Sequence, residues 1–342
     1  MTALYHDADG DLNALAERRI AMIGYGNLGR PLAFNLRDSG FHVLIGNMAD
    51  EYATRARADG FEIAPIPEAA RRSEIVLLML PDEVMPEVYV QSVSPTLKPG
   101  DTLVFTSGYN VAFGYIEPPP FIDTVLIAPR TIGPGVREDY LAGRGYLSFV
   151  AVEQDATGAA WRTTLALAKA IGALRLGALE LTFKQEAELD LFNQQAFLPA
   201  LHNLLLTAAD LLIKEGYPPE AALLDLYLSG ELSYTLRKAA ESGFMDTLRM
   251  YSPISQYGML SRAERFTEPK LRRQMEITLE EIRGGKFSQE WAAEYANGYP
   301  RLNALLHKRG ALALWALEHQ AMHWLRSDSP TDDADSQANL LP

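Results

Sequence analysis

Short apolar runs alternate with amphipathic stretches through the first half of the chain. Continuous runs of this length are typical of strands that are buried on both faces of a parallel sheet. They are Arg19–Ile23, Phe41–Gly46, Ile75–Leu80, Thr102–Phe105, Thr124–Ala128, Leu147–Val152 and Leu174–Leu179. Helical patterns cover Glu51–Ala58 and Ala159–Ile171 between them. The alternation predicts a doubly wound α/β domain.

From Glu186 onward the apolar positions recur with a period of 3.6 and the strand pattern stops. The amphipathic stretches are Glu186–Glu215, Pro219–Gly243, Glu268–Gly284, Ser288–Ala296 and Ala304–Leu325. They predict an all-helical second domain, so we expect domains at residues 1–181 and 182–326. Residues 327–342 are polar and acidic, which predicts a disordered tail, with an acidic interaction tail as the alternative.

Composition narrows the class of protein. The 342 residues, 48% of them hydrophobic and 22% charged, are enough for two globular domains. The net charge of −13 argues against binding to nucleic acid or to an anionic membrane surface. The chain has no cysteine, which excludes a disulfide framework, a thiolate nucleophile and a Cys-ligated zinc site.

The first residues lack the basic segment and apolar core of a signal peptide. No uninterrupted apolar run approaches the roughly 20 residues that a membrane span needs. We therefore expect a cytoplasmic protein with no membrane association.

The first predicted strand runs directly into Gly-x-Gly-x-x-Gly, formed by Gly24, Gly26 and Gly29. In a βαβ unit the first glycine allows a tight turn, the second admits a pyrophosphate and the third lets helix and strand pack closely. Pro31 suits the first turn of the helix that follows. A strand, a helix and a second strand in this order predict a dinucleotide site. The alternative is a glycine-rich turn in an unrelated α/β domain.

Motifs in both halves of the chain resemble those of ketol-acid reductoisomerases, from about Ile20 to Leu325. They are Gly24–Gly26, Asn35–Gly40, Leu80–Glu83, Pro86–Tyr89, Leu97–Asp101, Thr182–Lys184, Asp190–Phe192, Trp291, Gly298–Pro300 and Leu302–Ala304. The resemblance implies a Rossmann domain, a knotted helical domain and a homodimer or higher homo-oligomer. It also implies NAD(P)H and two Mg²⁺ ions, which serve an alkyl migration and the reduction of the resulting 2-keto acid in the route to branched-chain amino acids.

The same resemblance implies which residues bind the cofactor. They are Gly24, Tyr25, Gly26, Asn27, Leu28, Gly29, Asn47, Asp50, Leu80, Pro81, Asp82 and Ser107. Family members that use NADPH carry Arg, Lys and Ser after the second strand, where this chain has the carboxylates Asp50 and Glu51. These carboxylates should repel a 2′-phosphate, so we expect a preference for NAD(H). NADP(H) is the alternative, if Arg55 or Arg57 folds back over the loop.

The metal ligands of the family are altered. Four carboxylates hold its two ions as two i,i+4 pairs, and here the pairs read Asp190 with Gln194, and Tyr227 with Glu231. A spacing of four places each pair on one helical face. Two Mg²⁺ ions need several charged oxygen ligands. A dinuclear site is therefore not expected, and Asp190 and Glu231 are the residues left to hold a single ion.

Two further family motifs are changed in the first domain. Ala-His-Gly reads Thr106–Gly108 here, with Ser107 in the place of the histidine, and Ala-Pro-Lys reads Ala128–Arg130. A guanidinium stays protonated, so Arg130 cannot donate a proton. We expect it to bind a substrate carboxylate bidentately.

Several side chains are candidates for the proton donor or for substrate contacts. The donor candidates are Lys184, Asp190, Tyr227, Glu231 and Ser107, and the candidates for substrate contacts are Arg130, Gln194, Ser252 and Ser255. The alternatives are a solvated helix face for Asp190 and Glu231, core packing for Tyr227, and a simple loop for the two serines.

Three functions follow from these observations. The leading hypothesis is an NAD(P)H-dependent reductase that acts on C=O or C=N of a small carboxylated substrate without metal-dependent alkyl migration. The second is a divergent but genuine ketol-acid reductoisomerase. The third is an inactive nucleotide-binding scaffold.

Overall fold

The computed structural model of the protein describes residues 2–326. These residues form two compact units, one of residues 2–191 with Ile282–Ala292 and one of Phe192–Glu281 with 293–326. The first unit contains the sheet and the second is helical, which confirms the predicted fold class. The knot and the domain boundary after residue 181 stay predictions. The predicted tail at 327–342 lies outside the described residues.

The first unit is built on a nine-stranded sheet in the order β1-β9-β8-β7-β6-β5-β2-β3-β4. The strands are β1 (Leu4–Tyr5), β2 (Ile20–Ile23), β3 (Val43–Gly46), β4 (Glu62–Ala64), β5 (Ile75–Leu78), β6 (Thr102–Phe105), β7 (Asp123–Pro129), β8 (Leu147–Gln154) and β9 (Gly177–Glu180). The five strands β4, β3, β2, β5 and β6 pair in parallel, and β7 continues the same direction.

Two pairs depart from the parallel arrangement. β8 pairs antiparallel with β7, and β1 pairs antiparallel with β9. An apolar run indicates that both faces of a strand are buried. Because this is true of parallel and antiparallel strands alike, the run does not predict strand direction. The short strands β1 and β4 have no apolar run and were not predicted. The last strand begins at Gly177 rather than Leu174, because Gly172 ends the preceding helix in a left-handed conformation and Leu174 packs into the core.

Helices cover both faces of the sheet and fill the second unit. They are α1 (Gly29–Asp38), α2 (Glu51–Ala58), α3 (Ile66–Arg71), α4 (Met85–Val88), α5 (Tyr109–Ala112), α6 (Gly133–Leu141), α7 (Ala160–Ile171), α8 (Phe183–Phe192), α9 (Leu198–Lys214), α10 (Pro219–Leu223), α11 (Glu231–Ser242), α12 (Phe244–Thr247), α13 (Pro253–Arg262), α14 (Pro269–Arg283), α15 (Lys286–Ala296), α16 (Pro300–Gly310) and α17 (Ala313–Arg326).

The core of the first unit lies on the two faces of the sheet. Successive residues of β2 alternate between them, because side chains of a strand point to opposite faces. Ile20 and Met22 belong to one buried cluster with residues of α1 and α7, while Ala21 and Ile23 belong to another with residues of α3. The result is a three-layer α/β domain.

Two predicted helices of the second unit are interrupted. Gly230 has a φ of 82° and separates α11 from the π-helical turn Leu224–Leu228, so Pro219–Gly243 is not one helix. α16 ends at Gly310 and α17 begins at Ala313. In contrast, α8 and α9 join through the π turn Asn193–Phe197 into one helix.

The joined helix α8–α9 spans Phe183–Lys214 and has a mean hydropathy of 1.6 in its most apolar window. By length and composition alone it is the one helix among the described residues that could cross a membrane. This is weak evidence, since an apolar helix that is covered by protein passes the same test. The absence of membrane association stays a prediction.

Candidate functional site

Two of the three motif glycines are required by the backbone itself. Gly24 has a φ of 98°, and a Cβ there would lie 2.4 Å from the carbonyl oxygen of Met79. A Cβ on Gly29 would lie 2.6 Å from the carbonyl oxygen of Gly24. These contacts allow the chain to leave β2, turn sharply and begin α1 close against the strand.

Gly26 differs, because a Cβ there would meet no atom of the described chain within 4 Å. The space beside it lies at the start of α1, where the first backbone N–H groups of a helix have no acceptor within the helix. A pyrophosphate would fit this space, and a side chain on residue 26 would fill it. The glycine turn therefore fits the pyrophosphate of a dinucleotide.

The neighbours of Gly26 are positioned by packing. Leu28 is half-buried against the core, whereas Asn27 is exposed. Helix α6 begins against this turn, since a Cβ on Gly133 would lie 2.0 Å from the carbonyl oxygen of Asn27. The turn is thus held from two sides.

Tyr25 has a structural role that its place in the motif conceals. Its side chain is buried, its ring meets Phe61 edge-on, and its hydroxyl donates to Oδ2 of Asp59 at 2.8 Å. The same carboxylate accepts from Arg30, which lowers the pKa of Asp59. The side chain thus points into the protein, which leaves the backbone of Tyr25 for a cofactor, and its implied role in cofactor binding stays a prediction.

The loop after β3 carries the predicted specificity residues. One oxygen of Asp50 accepts from the backbone N–H of Ala53 at 2.9 Å and from the side-chain amide of Asn47 at 2.7 Å. Asp50 is therefore the N-cap of α2, which fixes its negative charge at the end of β3. Arg55 and Arg57 lie in the last turn of the same helix.

Asp82 follows β5 and contacts Ser107 and Asn110, which follow the neighbouring strand β6. Leu80 is half-buried against the core and Pro81 is exposed. The partly buried carboxylate of Asp82 accepts from the Asn110 amide at 3.0 Å and from the Ser107 hydroxyl at 3.5 Å. Burial, followed by the charges of Glu83 and Asp190, raises the pKa of Asp82 to about 7.

Arg130 joins two carboxylates of helix α8. Its Nη1 lies 3.2 Å from Oε1 of Glu186, and its Nη2 lies 2.9 Å from Oδ1 of Asp190. The guanidinium also lies over the Phe149 ring, 5.0 Å from its centre. Arg130 thus already binds two carboxylates of the chain, and a substrate carboxylate would have to use its remaining N–H groups.

Glu186 is a member of the site that the sequence motifs do not reveal. Its side chain is only 2% exposed, and its second oxygen accepts from the backbone N–H of Gly108 at 2.7 Å. Burial raises the pKa of Glu186 to about 7, although the Gly108 N–H and the Arg130 charge oppose this shift. One signal was available: Glu186 precedes Asp190 by four residues on the same helix.

Lys184 forms an ion pair on another part of helix α8 than Asp190. Its side chain is 72% exposed, and its ammonium lies 3.9 Å from Glu188, one turn along the helix. Glu188 also lies 3.2 Å from Arg283. Lys184 and Asp190 are six residues apart and face different sides of the helix. The role of Lys184 as a proton donor stays a prediction.

Tyr227 and Glu231 do not lie on one helical face, contrary to the expectation from their spacing. Gly230 breaks the helix between them, and Glu231 is the exposed first residue of α11. The Tyr227 hydroxyl donates to Oε1 of Glu318. Burial, and then the bond to Glu318, raises the pKa of Tyr227. This is the packing role considered as the alternative, since Tyr227 also lies against the cluster around Leu223.

The remaining predicted substrate contacts lie in the second unit. Gln194 lies in the exposed π turn that joins α8 to α9. Ser252 is the N-cap of α13, where its hydroxyl accepts from the backbone N–H of Ser255 at 3.4 Å and lies 3.0 Å from the Ser255 hydroxyl. These contacts explain the serines as a capping loop, and their role toward a substrate stays a prediction.

The donor set does not fit the two magnesium ions that the family implies. Of the expected ligands, Gln194 is neutral, Tyr227 is bound to Glu318, and Asp190 is paired with the cation Arg130. Within residues 2–326 of one chain, no group of three or more His, Asp or Glu side chains is arranged to hold a metal.

Comparison with known proteins decides the family. The model of the acetohydroxy acid isomeroreductase NADPH-binding domain matches residues 14–177, and that of the ketol-acid reductoisomerase C-terminal domain matches residues 183–325. The chain belongs to the ketol-acid reductoisomerase family. This confirms the predicted resemblance and the prediction of an oxidoreductase with a nicotinamide cofactor.

Individual ketol-acid reductoisomerases are similar over nearly the whole chain. One named ketol-acid reductoisomerase (NADP(+)), from Methanopyrus kandleri, is 40% identical over 87% of this chain and 90% of its own. Another of the same name, from Pyrobaculum calidifontis, is 37% identical over 90% and 94%. The solved structure of an NADH-preferring ketol-acid reductoisomerase from an uncultured archaean matches with a TM-score of 0.89 and 33% identity, over 96% of this chain and all of that one.

Proposed function

We propose that this protein is an NADH-preferring reductase that acts on C=O or C=N of a small carboxylated substrate without metal-dependent alkyl migration. The observation that carries the proposal is the pairing of Arg130 with Glu186 and Asp190. In a working dinuclear site Asp190 would have to ligate cations instead. The neutral Gln194 and the internally bound Tyr227 support the same conclusion.

The glycine turn and the carboxyl ends of the parallel strands supply the reductase half of the proposal. A bound NADH supplies the hydride. Gly24, Gly26 and Gly29 shape its pyrophosphate site, and Ser107 and Asp82 lie at the ends of the neighbouring strands β6 and β5. Ligands of open parallel sheets bind at this edge.

Ser107 is the proton donor that the geometry favours among the candidates. Its hydroxyl gives its proton to the substrate oxygen or nitrogen as the hydride reaches the carbon, and the carboxylic acid of Asp82 returns a proton to Ser107. The backbone N–H of Tyr109 donates to the Ser107 oxygen at 3.2 Å and stabilises the charge that develops there. Lys184 points to Glu188 and Tyr227 to Glu318, so neither is used.

The preference for NADH is supported by Asp50 and by one relative. The capping bonds hold the Asp50 carboxylate at the end of β3, beside the place where a 2′-phosphate would bind. The solved relative with a TM-score of 0.89 is described as NADH-preferring. The relatives named as NADP(+) enzymes keep NADPH as the alternative.

A second function is favoured by those same relatives. These relatives, at 37% and 40% identity, are named ketol-acid reductoisomerases, which supports a genuine but divergent enzyme of that kind. For this second function we expect one Mg²⁺, held by Asp190 and Glu231. Binding of this ion would require Asp190 to leave Arg130. The inactive scaffold, our third hypothesis, predicts cofactor binding without turnover.

One experiment separates the three functions. NADH oxidation is followed with a panel of 2-keto acids and cyclic imines, with EDTA or with Mg²⁺, and 2-acetolactate is tested for conversion to a dihydroxy acid. We expect EDTA to leave reduction within about threefold, less than about 1 kcal/mol in the barrier, and 2-acetolactate to give no product. EDTA-sensitive conversion of 2-acetolactate would establish the second function. NADH binding without turnover of any substrate would support the scaffold.

The expected binding partners of the protein are also part of the proposal. We expect a small-molecule substrate, no nucleic acid, no membrane, and a second copy of the chain. The apolar part of the joined helix α8–α9 is only 11% buried within one chain, which supports its burial against that second copy. A cytoplasmic location stays a prediction.

A further inference from the structure

Two carboxylates of helix α8 form ion pairs with one arginine that follows a strand of the sheet. Arg130 follows β7 and reaches two acids that are one helical turn apart, with Nη1 on Glu186 and Nη2 on Asp190. Its guanidinium is braced by the Phe149 ring, and Glu186 is fixed by the N–H of Gly108. Arg130 and Glu186 are thus each held in place by a further element, β8 for Arg130 and the backbone after β6 for Glu186.

This arrangement differs from one in which a lysine lies at position 130. A lysine beside a divalent ion can lose its proton, because the pKa of an ammonium falls readily near other positive charge. A guanidinium stays protonated and cannot relieve that repulsion. It also presents several N–H groups in one plane, so a single side chain can bridge two carboxylates.

We propose that Arg130 is the resident cation of this site, taking the place of the family's metal and keeping divalent ions off Asp190. This inference deepens the proposed function and rests on its claim that the reductase works without metal. It concerns metal binding rather than turnover, so it can be tested without a known substrate.

The test is the binding of Mn²⁺ to the full chain in the presence of NADH, measured from the loss of the free-ion signal in electron paramagnetic resonance. The natural protein should retain no Mn²⁺ at millimolar concentration. Arg130→Met and Arg130→Lys should each bind Mn²⁺ at least about tenfold more tightly, because the fixed charge is removed or can be neutralised. Adding Asp190→Asn to Arg130→Lys should abolish the gain.

Arg144→Met is the matched control, since it removes another guanidinium of the same unit from the carboxylate of Asp139, 2.7 Å away. It should not increase Mn²⁺ binding. If Arg130→Met fails to fold, Arg130→Lys decides, because it keeps a positive partner for Glu186. A folded Arg130→Lys variant that binds NADH but gains no Mn²⁺ would overturn the inference, as would tight Mn²⁺ binding by the natural protein.

The outcome is distinguishable from a failure of the proposed function. Metal-dependent conversion of 2-acetolactate by the natural protein would refute both the reductase and the resident cation, because it requires a divalent ion in the site that Arg130 is proposed to occupy. Unchanged Mn²⁺ binding in the Arg130 variants would refute the resident cation and leave EDTA-resistant reduction standing.

Discussion

The hydroxyl of Ser107 lies 3.5 Å from Oδ2 of Asp82, and the pKa of that carboxyl is raised to about 7 by burial and by Glu83 and Asp190. As the pH falls below about 7, Asp82 is therefore increasingly a carboxylic acid, which can return a proton to Ser107. As the pH rises, it is increasingly an anion that can only accept.

The first prediction concerns the pH dependence of reduction. We expect kcat/KM with NADH to fall above about pH 7, by up to about tenfold per pH unit, as Asp82 loses its proton. Asp82→Asn should lower the rate and remove this decline, since an amide does not titrate. Ser107→Ala should lower the rate at every pH. A decline that persists unchanged in Asp82→Asn would assign it to another group.

The second prediction concerns stability and follows from the raised pKa of Glu186. An acid whose pKa is raised in the folded state stabilises the fold below its unfolded pKa, and this contribution is lost as pH rises through the folded value. For Glu186 the window runs from the ordinary value of 4.5 to about 7. The free energy of unfolding of the natural protein relative to Glu186→Gln should thus decrease between pH 5 and pH 8, on the order of 2–3 kcal/mol. Urea unfolding at both pH values measures it, and a difference that does not change would refute it.

The third prediction separates cofactor binding from folding. Gly26→Val should weaken NADH binding by at least about a hundredfold, close to 3 kcal/mol, because the side chain fills the pyrophosphate space. The melting temperature should hardly change, since a Cβ at Gly26 meets no protein atom within 4 Å. Gly258→Val is the matched control, as the space there is also open and lies in α13. Unaltered NADH fluorescence titration of Gly26→Val would refute the site.

The sequence pattern predicted those features that depend on residues close together in the fold or on burial alone. The glycine turn between β2 and α1 could be predicted from the sequence, because Gly24 and Gly29 allow close contacts between residues that are near in the chain or lie on adjacent strands. The strands were readable because their runs are buried on both faces. The direction of a strand could not be predicted, because the burial of β8 is the same in either orientation.

Residues that depend on distant partners escaped prediction. Glu186 is buried because Gly108 and Arg130, far away in sequence, supply its hydrogen bond and its counter-charge. Tyr25 reads as a cofactor residue from its motif, yet Asp59 and Phe61 draw its side chain into the core. The break between Tyr227 and Glu231 depends on the left-handed conformation of Gly230. Glycine permits this conformation, but the presence of a glycine in the sequence does not predict it.

The fourth prediction tests the charge of Asp50. Asp50→Asn keeps an oxygen that can cap α2 and removes the negative charge. We expect kcat/KM with NADPH to rise several-fold while that with NADH stays nearly constant. Asp50→Ala is the control for the cap: it should lower stability by about 1 kcal/mol, because the N–H of Ala53 loses its acceptor. A higher kcat/KM with NADPH than with NADH in the natural protein would overturn the preference itself.

The last prediction concerns the second copy of the chain. Leu204 and Leu211 lie seven residues apart on α9, on one helical face, and are 60% and 58% exposed within one chain. Exposed apolar surface of this kind on a long helix is typical of a subunit interface. Sedimentation of the natural protein at micromolar concentration should therefore show at least twice the chain mass of 37.8 kDa.

Leu204→Glu with Leu211→Glu should shift this species toward the monomer, since carboxylates would be buried at the contact without partners. Leu141→Glu is the matched control, because Leu141 is 66% exposed on α6 of the other unit and the substitution should leave the mass unchanged. Far-ultraviolet circular dichroism reports whether the helical second unit, which carries Leu204 and Leu211, remains folded in the variants. A natural protein that sediments only at 37.8 kDa would refute the dimer. A double variant that stays dimeric would place the interface on another surface.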